Sequence, residues 1–329
     1  MFSKPLSYEA LKAVLHNIKA DKRFEISQKM ATIRNAEKLV PLKIDKLSFR
    51  LSEFAVNQTT FGIRIAGKTI NNSWLKSLYR EYICLAVNRK AVEYVEYSRS
   101  QFQLSSEYMM STFFGGRSDP IQVYQLMFDA DRLLTWPPNA KLQIQHLAIR
   151  NGTRPALIAL STVLTESSFS LQSLKIFVNH LTIAEFRDKV VQEAKKVIIV
   201  QNSCSFSTNG PNNYYFLPPN THFENTKCLK PNDFAFLIRY WKISEAAPGR
   251  RCSIGIRDDL EDLKFANRTK FNIQTQFDVT EKNGMITIPI NRSSEVHVLM
   301  EDYNSPQDVY NPPKWIFVMK VVRKRRCSL

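Results

Sequence analysis

A skeleton of apolar residues recurs four times between residues 121 and 202, and this recurrence limits the possible folds more than any other feature of the chain. Its clearest copy is Leu171-Gln-Ser-Leu174-Lys-Ile176-Phe-Val-Asn179, and a second copy begins at Ala194. Looser copies begin at Ile121 and Ile144. The apolar residues of each copy are spaced as in a short, partly buried strand, and a small or polar residue follows at the bend. The recurrence therefore predicts a repetitive architecture.

The skeleton matches the one that leucine-rich repeats carry, with a period of about 20–29 residues. Two segments between the copies, residues 155–164 and 183–191, have apolar residues at helical spacing. A strand followed by a helix, repeated, predicts a curved leucine-rich-repeat-like α/β array. The alternative is an ordinary doubly wound sheet, whose buried parallel strands also give short apolar runs. Beyond the repeats the pattern predicts a helix at 231–241 and strands at 252–256, 286–290, 296–300 and 315–322.

The first forty residues have a different pattern. Ser7 is a good N-cap, and apolar residues from Ala10 to Ile18 recur on one side of a helix predicted at 8–19. One or two further short helices are expected before Pro41, and strands at 42–49 and 60–65 follow. This helical module is either a cap over the core or a docking module. Residues 74–115 mix helical and strand signals, and the pattern does not divide them.

The chain is strongly basic, with 46 Lys and Arg against 30 Asp and Glu and a formal net charge of +16. Such a balance favours an acidic partner or a polyanion. The densest cluster is Arg323, Lys324, Arg325 and Arg326, a candidate polyanion-binding segment or nuclear address. Its other interpretation is a solvated tail at 323–329. No zinc finger, homeodomain or aromatic RNA-binding motif accompanies it, so nucleic acid is a disfavoured partner that the sequence leaves open.

Familiar enzyme motifs are absent from the sequence. It has no glycine-rich phosphate loop, no nucleophile elbow and no H-E-x-x-H, and its five cysteines and five histidines lie far apart. We therefore expect no catalytic residue, no metal site and no cofactor. No apolar run approaches the ~18 residues of a membrane span, and no secretory leader is recognisable. The prediction is an intracellular protein, cytoplasmic or nuclear, without a membrane partner.

Several phrases resemble the nematode-expanded F-box C family, in which a degenerate F-box precedes an F-box-associated domain of unknown function. They are Pro-Leu-Ser-Tyr-x-x-Leu-Lys-x-Val-Leu at 5–15, a turn at Ala20-Asp-Lys-Arg23 and Glu37-Lys-Leu-Val-Pro-Leu-Lys-Ile at 37–44. The later segments at 115–118, 171–179 and 237–241 also resemble sequences of this family. The resemblance implies an F-box-like helical module at 1–40, an F-box-associated α/β leucine-rich-like domain at 41–322 and a basic tail at 323–329.

The resemblance also implies a function and a docking site. The chain is expected to be a non-enzymatic substrate receptor of a cullin-RING ubiquitin ligase, with the ligase adaptor, the cullin and an unknown acidic protein target as partners. The alternatives are a scaffold that has lost adaptor binding, a basic nucleic-acid-binding protein or an enzyme of unrecognised type. The residues that would meet the adaptor's hydrophobic groove are Leu6, Leu11, Val14, Leu15 and Ile18.

Overall fold

The computed structural model describes residues 7–50, 53–72, 75–88, 90–96, 99–129, 136–150, 153–168, 171–178, 186–201, 217–224, 229–303 and 313–324. The chain divides into two compact units, residues 1–169 and residues 170–329. The fold is mixed α/β, and a helical region precedes the first strand. The predicted fold class is confirmed at that level.

Three helices open the first unit, and we call residues 7–40 the head. They are α1 (Tyr8–Asn17), α2 (Ala20–Lys29) and α3 (Ala31–Lys38). The side chain of Ser7 accepts a hydrogen bond from the backbone of Ala10, so the predicted N-cap and the helix that follows it are confirmed. The prediction of a turn at residues 20–23 is wrong, because this segment is the first turn of α2.

Seven described strands follow the head in the first unit. Its elements are β1 (Lys43–Arg50), β2 (Glu53–Val56), β3 (Thr59–Asn72), β4 (Leu75–Val87), β5 (Lys90–Glu96), α4 (Arg99–Phe114), β6 (Ile121–Asp129), β7 (Leu142–Ile149) and α5 (Thr153–Ser161). The strand order is β7-β6-β1-β2-β3-β4-β5. β7, β6 and β1 run parallel, and β1 through β5 form an antiparallel meander. The undivided segment 74–115 thus contains β4, β5 and α4.

An aromatic cluster joins the head to this sheet. Phe24 of α2 is 1% exposed, and its ring lies 4.9 Å from that of Phe113 and 6.0 Å from that of Phe61. The rings of Phe54 and Phe61 stack at 5.3 Å on neighbouring strands. Burying a phenylalanine contributes about 1.5–3 kcal/mol, so Phe24 alone fixes α2 firmly. The head is therefore a cap on the first unit, and only its outer surface is left for docking.

The described residues of the second unit form eight strands and three helices. Its elements are β8 (Ser173–Val178), α6 (Lys189–Glu193), β9 (Val197–Gln201), β10 (Asn220–Phe223), α7 (Pro231–Ile243), β11 (Arg251–Ile256), α8 (Leu260–Gln276), β12 (Thr280–Lys282), β13 (Met285–Pro289), β14 (Ser294–Asp302) and β15 (Trp315–Arg323). The strand order is β8-β9-β10-β11-β15-β14-β13-β12. β12, at the end of this order, is exposed along its whole length.

Strands β8 to β11 lie side by side in chain order and are parallel. Their register aligns Ile176, Ile199, Phe223 and Ile254, and each of these side chains is fully buried. This apolar row is the core of the second unit. Beyond β11 the pairing is antiparallel, and β15 lies between β11 and β14.

The predicted strands of the repeat are confirmed, since β6, β8 and β9 lie within their copies of the skeleton and β7 overlaps the copy that begins at Ile144. The helices at 155–164 and 231–241 and the four later strands are confirmed as well. Of the predicted helix at 183–191, residues 183–185 lie outside the described residues, and α6 begins only at Lys189. The leucine-rich-like curvature stays a prediction.

Candidate functional site

The residues predicted to meet the adaptor are here called the adaptor stripe. They are divided between the core and the surface of the head. Leu15 is 1% exposed and packs against buried residues at the end of α3, with Leu11 partly buried beside it. Val14 is 45% exposed and Ile18 is half-buried, whereas Leu6 lies outside the described residues. Burial removes Leu15 from the surface. Leu11, Val14 and Ile18 are the described members of the stripe that a partner can reach.

The predicted basic run begins inside the sheet. Arg323 is the last residue of β15 and is exposed, and the backbone N–H of Lys324 donates to the carbonyl of Ser293 at 2.9 Å. Arg325 and Arg326 lie outside the described residues. The first half of the run is therefore held by strand pairing, and its role as a polyanion site stays a prediction.

Three of the sequence segments that resemble the F-box C family contribute side chains to one buried cluster, centred on the carboxylate of Glu37. Glu37 of α3 accepts from Arg23 of α2 at 2.8 Å and from Arg117, which follows α4, at 2.7 Å. All three side chains are 3–4% exposed. Arg23 also donates to the carbonyl oxygens of Val40 and Pro41. Sequence reasoning treated the three residues as separate motifs and missed this buried triad.

The Gly115-Gly116 pair brings Arg117 to the triad. A β-carbon at Gly115 would lie 2.7 Å from the carbonyl oxygen of Ser111, and Gly116 has a φ of +68°. Other residues do not fit such a turn without strain. Burial lowers the pKa of Arg117 and of Arg23, and Glu37 opposes the effect in both. Arginine keeps its proton despite this lowering of its pKa. The triad is therefore a charged ion-pair network that links α2, α3 and the end of α4.

A cluster of charged residues lies on the sheet of the second unit, on the face opposite the apolar row. We define this basic face by Lys175, Lys196, His222, Arg251 and Lys320, together with the carboxylates Glu224 and Glu301. Strand register places Lys175 of β8 level with His222 of β10, and Arg251 of β11 directly opposite Lys320 of β15. Because side chains alternate along a strand, these polar residues share one side of the sheet.

Ion pairs hold most of the charges of the basic face. Lys175 contacts Glu224 at 2.5 Å, Arg251 contacts Glu301 at 2.8 Å, and Lys320 contacts the other oxygen of Glu301 at 3.4 Å. Hydrogen bonds from Arg251 and Lys320 lower the pKa of Glu301 against the opposing effect of burial. Lys196 has no ion pair within 4.0 Å among the described residues. Burial and the nearby Arg251 lower the pKa of Lys196, and Glu224 only partly compensates.

His222 lies at the centre of the basic face and is 3% exposed. Its Nδ1 is 3.0 Å from Oγ of Ser253, and the ring of Tyr303 lies nearly parallel to it at 6.5 Å. Its Nε2 is buried and has no hydrogen-bond partner among the described residues. Burial, with the charges of Lys196, Arg251 and Lys175, lowers the pKa of His222 to about 3. The imidazole is therefore neutral at physiological pH.

The Ser253–His222 contact has the length of a nucleophile paired with its base. A base with a pKa of about 3 is weak at neutral pH, however, and Ser253 itself is 3% exposed. The contact therefore gives little support for proton transfer from Ser253 at neutral pH. Burial also raises the pKa of the Cys252 thiol to about 12. Within the described ranges no three His, Cys, Asp or Glu side chains are placed to hold a metal ion.

Single residues of the basic face give little signal in the sequence. In β8, Leu174-Lys175-Ile176 reads as an ordinary alternating strand with one polar position. The signal that was available is the recurrence of a basic residue or histidine in or just before each of the strands β8, β9, β10 and β11.

In the part of the chain that the structure describes, no helix is both long and apolar enough to span a bilayer.

Comparison with known proteins identifies one domain. A family model described as Domain of unknown function (DUF3557) matches residues 101–258, just under half of the chain. The matched segment begins within α4 and ends just after β11, so it contains the basic face except for Glu301 and Lys320. No curated protein and no solved structure matches the chain significantly.

Proposed function

We propose that this protein is a non-enzymatic recognition protein, a substrate receptor of a cullin-RING ubiquitin ligase. In this proposal the head docks on the ligase adaptor and the basic face holds an acidic protein target. The observation that carries the proposal is the basic face, where four cations stand against two carboxylates on one sheet surface. A receptor of this kind acts by proximity, because it raises the concentration of the target near the ligase without bond chemistry.

The head supports the docking half of the proposal by its rigidity. Phe24 and the buried triad fix α2 and α3 to the first unit, and Leu15 fixes α1 to α3. A surface that is already ordered loses little conformational entropy when it binds. Val14 lies on α1 and Ile18 directly follows its last residue, and both are partly accessible. Burying each in an adaptor groove would contribute about 1.5–3 kcal/mol.

Docking is tested by co-purification of the full chain with the cullin-RING adaptor. The variant is Val14→Asp, which places a charge on the exposed side of the stripe. The matched control is Ala13→Asp, because Ala13 is also exposed but lies about 100° around the same helix, outside the stripe. Val14→Asp should reduce adaptor binding by at least about tenfold, and Ala13→Asp should retain it. Leu15→Asp is unsuitable, since it places a charge in the core.

Circular dichroism and the melting temperature of both variants establish that they fold. Equal binding by the two variants, or no binding by the intact chain, would contradict the docking half of the proposal. The chain would then be the scaffold that the sequence left as an alternative, with the basic face still available to a target.

The net charge of +16 favours nucleic acid as a second candidate partner. If the chain binds a polyanion through several phosphates, its affinity should fall steeply as salt rises, because each contact releases a counterion. A salt titration with double-stranded DNA measures this slope. A slope near zero would exclude this candidate.

A further inference from the structure

Lys196 carries a charge that lacks a counterion in the described part of the basic face. Its side chain is half-buried, and one neighbouring charge is the cation Arg251. The nearby carboxylate, Glu224, is already bound to Lys175 at 2.5 Å. A partly desolvated ammonium group beside a second cation is unfavourable unless an anion compensates it. Among the described residues, Lys196 therefore has no ion pair of its own and is available to an anion.

His222 gives an independent indication at the same place. It is more than nine-tenths buried, and its Nε2 has no partner although Nδ1 lies 3.0 Å from the Ser253 hydroxyl. If that hydroxyl donates to Nδ1, the proton of the neutral imidazole is on Nε2. Nε2–H is then a buried donor without a partner, in an imidazole that the charges of Lys196 and Arg251 influence. Hydrogen bonds from charged donors to an oxyanion are stronger than those between neutral groups, so the two cations would supply most of the binding.

The charge of the basic face indicates the class of anion. Among the seven residues that define the basic face, four cations against two carboxylates leave an excess of two positive charges. A phosphate monoester carries about −1.5 to −2 at pH 7 and offers three acceptor oxygens. A carboxylate supplies one negative charge and two oxygens, so it would leave part of the excess uncompensated. The phosphate monoester fits both the charge and the number of donors.

We propose that the basic face binds the phosphate group of a phosphorylated side chain in the protein target. Lys196 and Arg251 are its charged ligands, and the neutral imidazole of His222 is buried in the same face. This inference rests on the proposed function for the nature of the target, but the anion site itself does not depend on adaptor docking. The recognition of the target then depends on its phosphorylation state.

The first test is the melting temperature of the full chain with inorganic phosphate at constant ionic strength. The variant is Lys196→Gln, and Lys195→Gln is the matched control. Lys195 is the exposed preceding residue, and its Nζ donates to Gln172 at 3.2 Å. Both variants lower the net charge equally. At a phosphate concentration of about 100 times Kd, the melting temperature of the wild type and of Lys195→Gln should rise by roughly 5 °C, and that of Lys196→Gln should not change.

The same variant separates ligand binding from a structural role. Without phosphate, Lys196→Gln should be as stable as the wild type or more stable, because it removes an uncompensated charge. A residue that only held the fold together would destabilise the chain on substitution. Absence of a phosphate effect in the wild type, or equal effects in Lys195→Gln and Lys196→Gln, would overturn the proposal, since diffuse charge alone gives the latter result.

A second titration identifies the source of the phosphate. Calorimetry compares inorganic phosphate with a short neutral peptide that contains one phosphoserine, and with the same peptide carrying glutamate there. The phosphopeptide should bind more tightly than inorganic phosphate and at least about tenfold more tightly than the glutamate peptide. Equal affinities for the two peptides would overturn the phosphate assignment, and tighter binding of inorganic phosphate would overturn the protein target.

Adaptor co-purification of Lys196→Gln separates this inference from the proposed function. Loss of phosphate binding with adaptor binding intact supports a site independent of the head. If the wild type binds the adaptor but never phosphate, this inference fails alone. If it binds phosphate but not the adaptor, the ligase role fails and the anion site stands.

Discussion

Replacing Glu37 by glutamine should lower the free energy of unfolding of the first unit by about 3–5 kcal/mol. The substitution keeps the volume of the side chain and removes only its charge. Arg23 and Arg117 then remain at 3% and 4% exposure without a carboxylate. Neither guanidinium can lose its proton at neutral pH, so both charges stay buried and uncompensated.

The magnitude follows from the two contacts that Glu37 makes. Each is a short charge-assisted hydrogen bond, at 2.8 Å to Arg23 and 2.7 Å to Arg117, and such bonds contribute about 1.5–3 kcal/mol. The amide of glutamine can accept through only one oxygen. Two weakened contacts at about this value give the lower part of the range, and the unpaired charges extend it upward.

Hydrogen exchange measures this loss locally. A cost of 3 kcal/mol corresponds to roughly 150-fold faster exchange of the β1 amides, if they exchange through opening of the first unit. Glu9→Gln is the control, because it removes the exposed contact between Glu9 and Lys12 and should leave exchange unchanged. The triple variant Arg23→Met, Glu37→Leu, Arg117→Met should recover much of the stability, since no buried charge remains. Exchange in Glu37→Gln within about fivefold of the wild type would refute the reasoning.

Three further predictions follow from individual residues. His222 has a pKa of about 3 when folded and an ordinary value of 6.5, so protons bind preferentially to the unfolded chain between these values. Stability should therefore fall by about 2 kcal/mol between about pH 7.5 and about pH 5, and the variant His222→Asn should lack this part of the slope in denaturant titrations. Gly115→Ala should cost about 1–3 kcal/mol in the same assay, because its β-carbon meets the Ser111 carbonyl oxygen at 2.7 Å; an unchanged midpoint would contradict the close approach. Cys252 should resist iodoacetamide in the native protein and react on denaturation, since burial raises its pKa to about 12; peptide mass spectrometry showing equal rates would disprove its burial.

Local periodicity predicted most of the elements, because an amphipathic strand or helix leaves its pattern in neighbouring residues. It located α1 from Ser7 and the apolar stripe, and β8 from the copy of the repeat skeleton that begins at Leu171. It failed over residues 74–115, where α4 has only a weak apolar face. The position of β15 between β11 and β14 was also unpredictable, since strand partners far apart in sequence leave no local signal.

The candidate sites were harder to predict than the elements. Arg23 lies between Lys22 and Phe24 on α2, and a charged residue in a short helix normally indicates a solvated side. Only the tertiary contact with Glu37 shows that it is buried. The basic face likewise forms only when parallel register brings Lys175, His222 and Arg251 onto neighbouring strands, and this register is a property of the whole sheet.

The short strand β12 limits how a partner can engage the second unit. An open sheet edge normally offers backbone groups to which an extended chain can add as a further strand. β12 has only three residues, all exposed, and its Glu281 is held by Lys270 of α8 at 2.6 Å. Such an edge is too short and too charged to template strand addition or edge-to-edge aggregation. At β12, therefore, an extended chain gains little by offering its backbone for strand pairing.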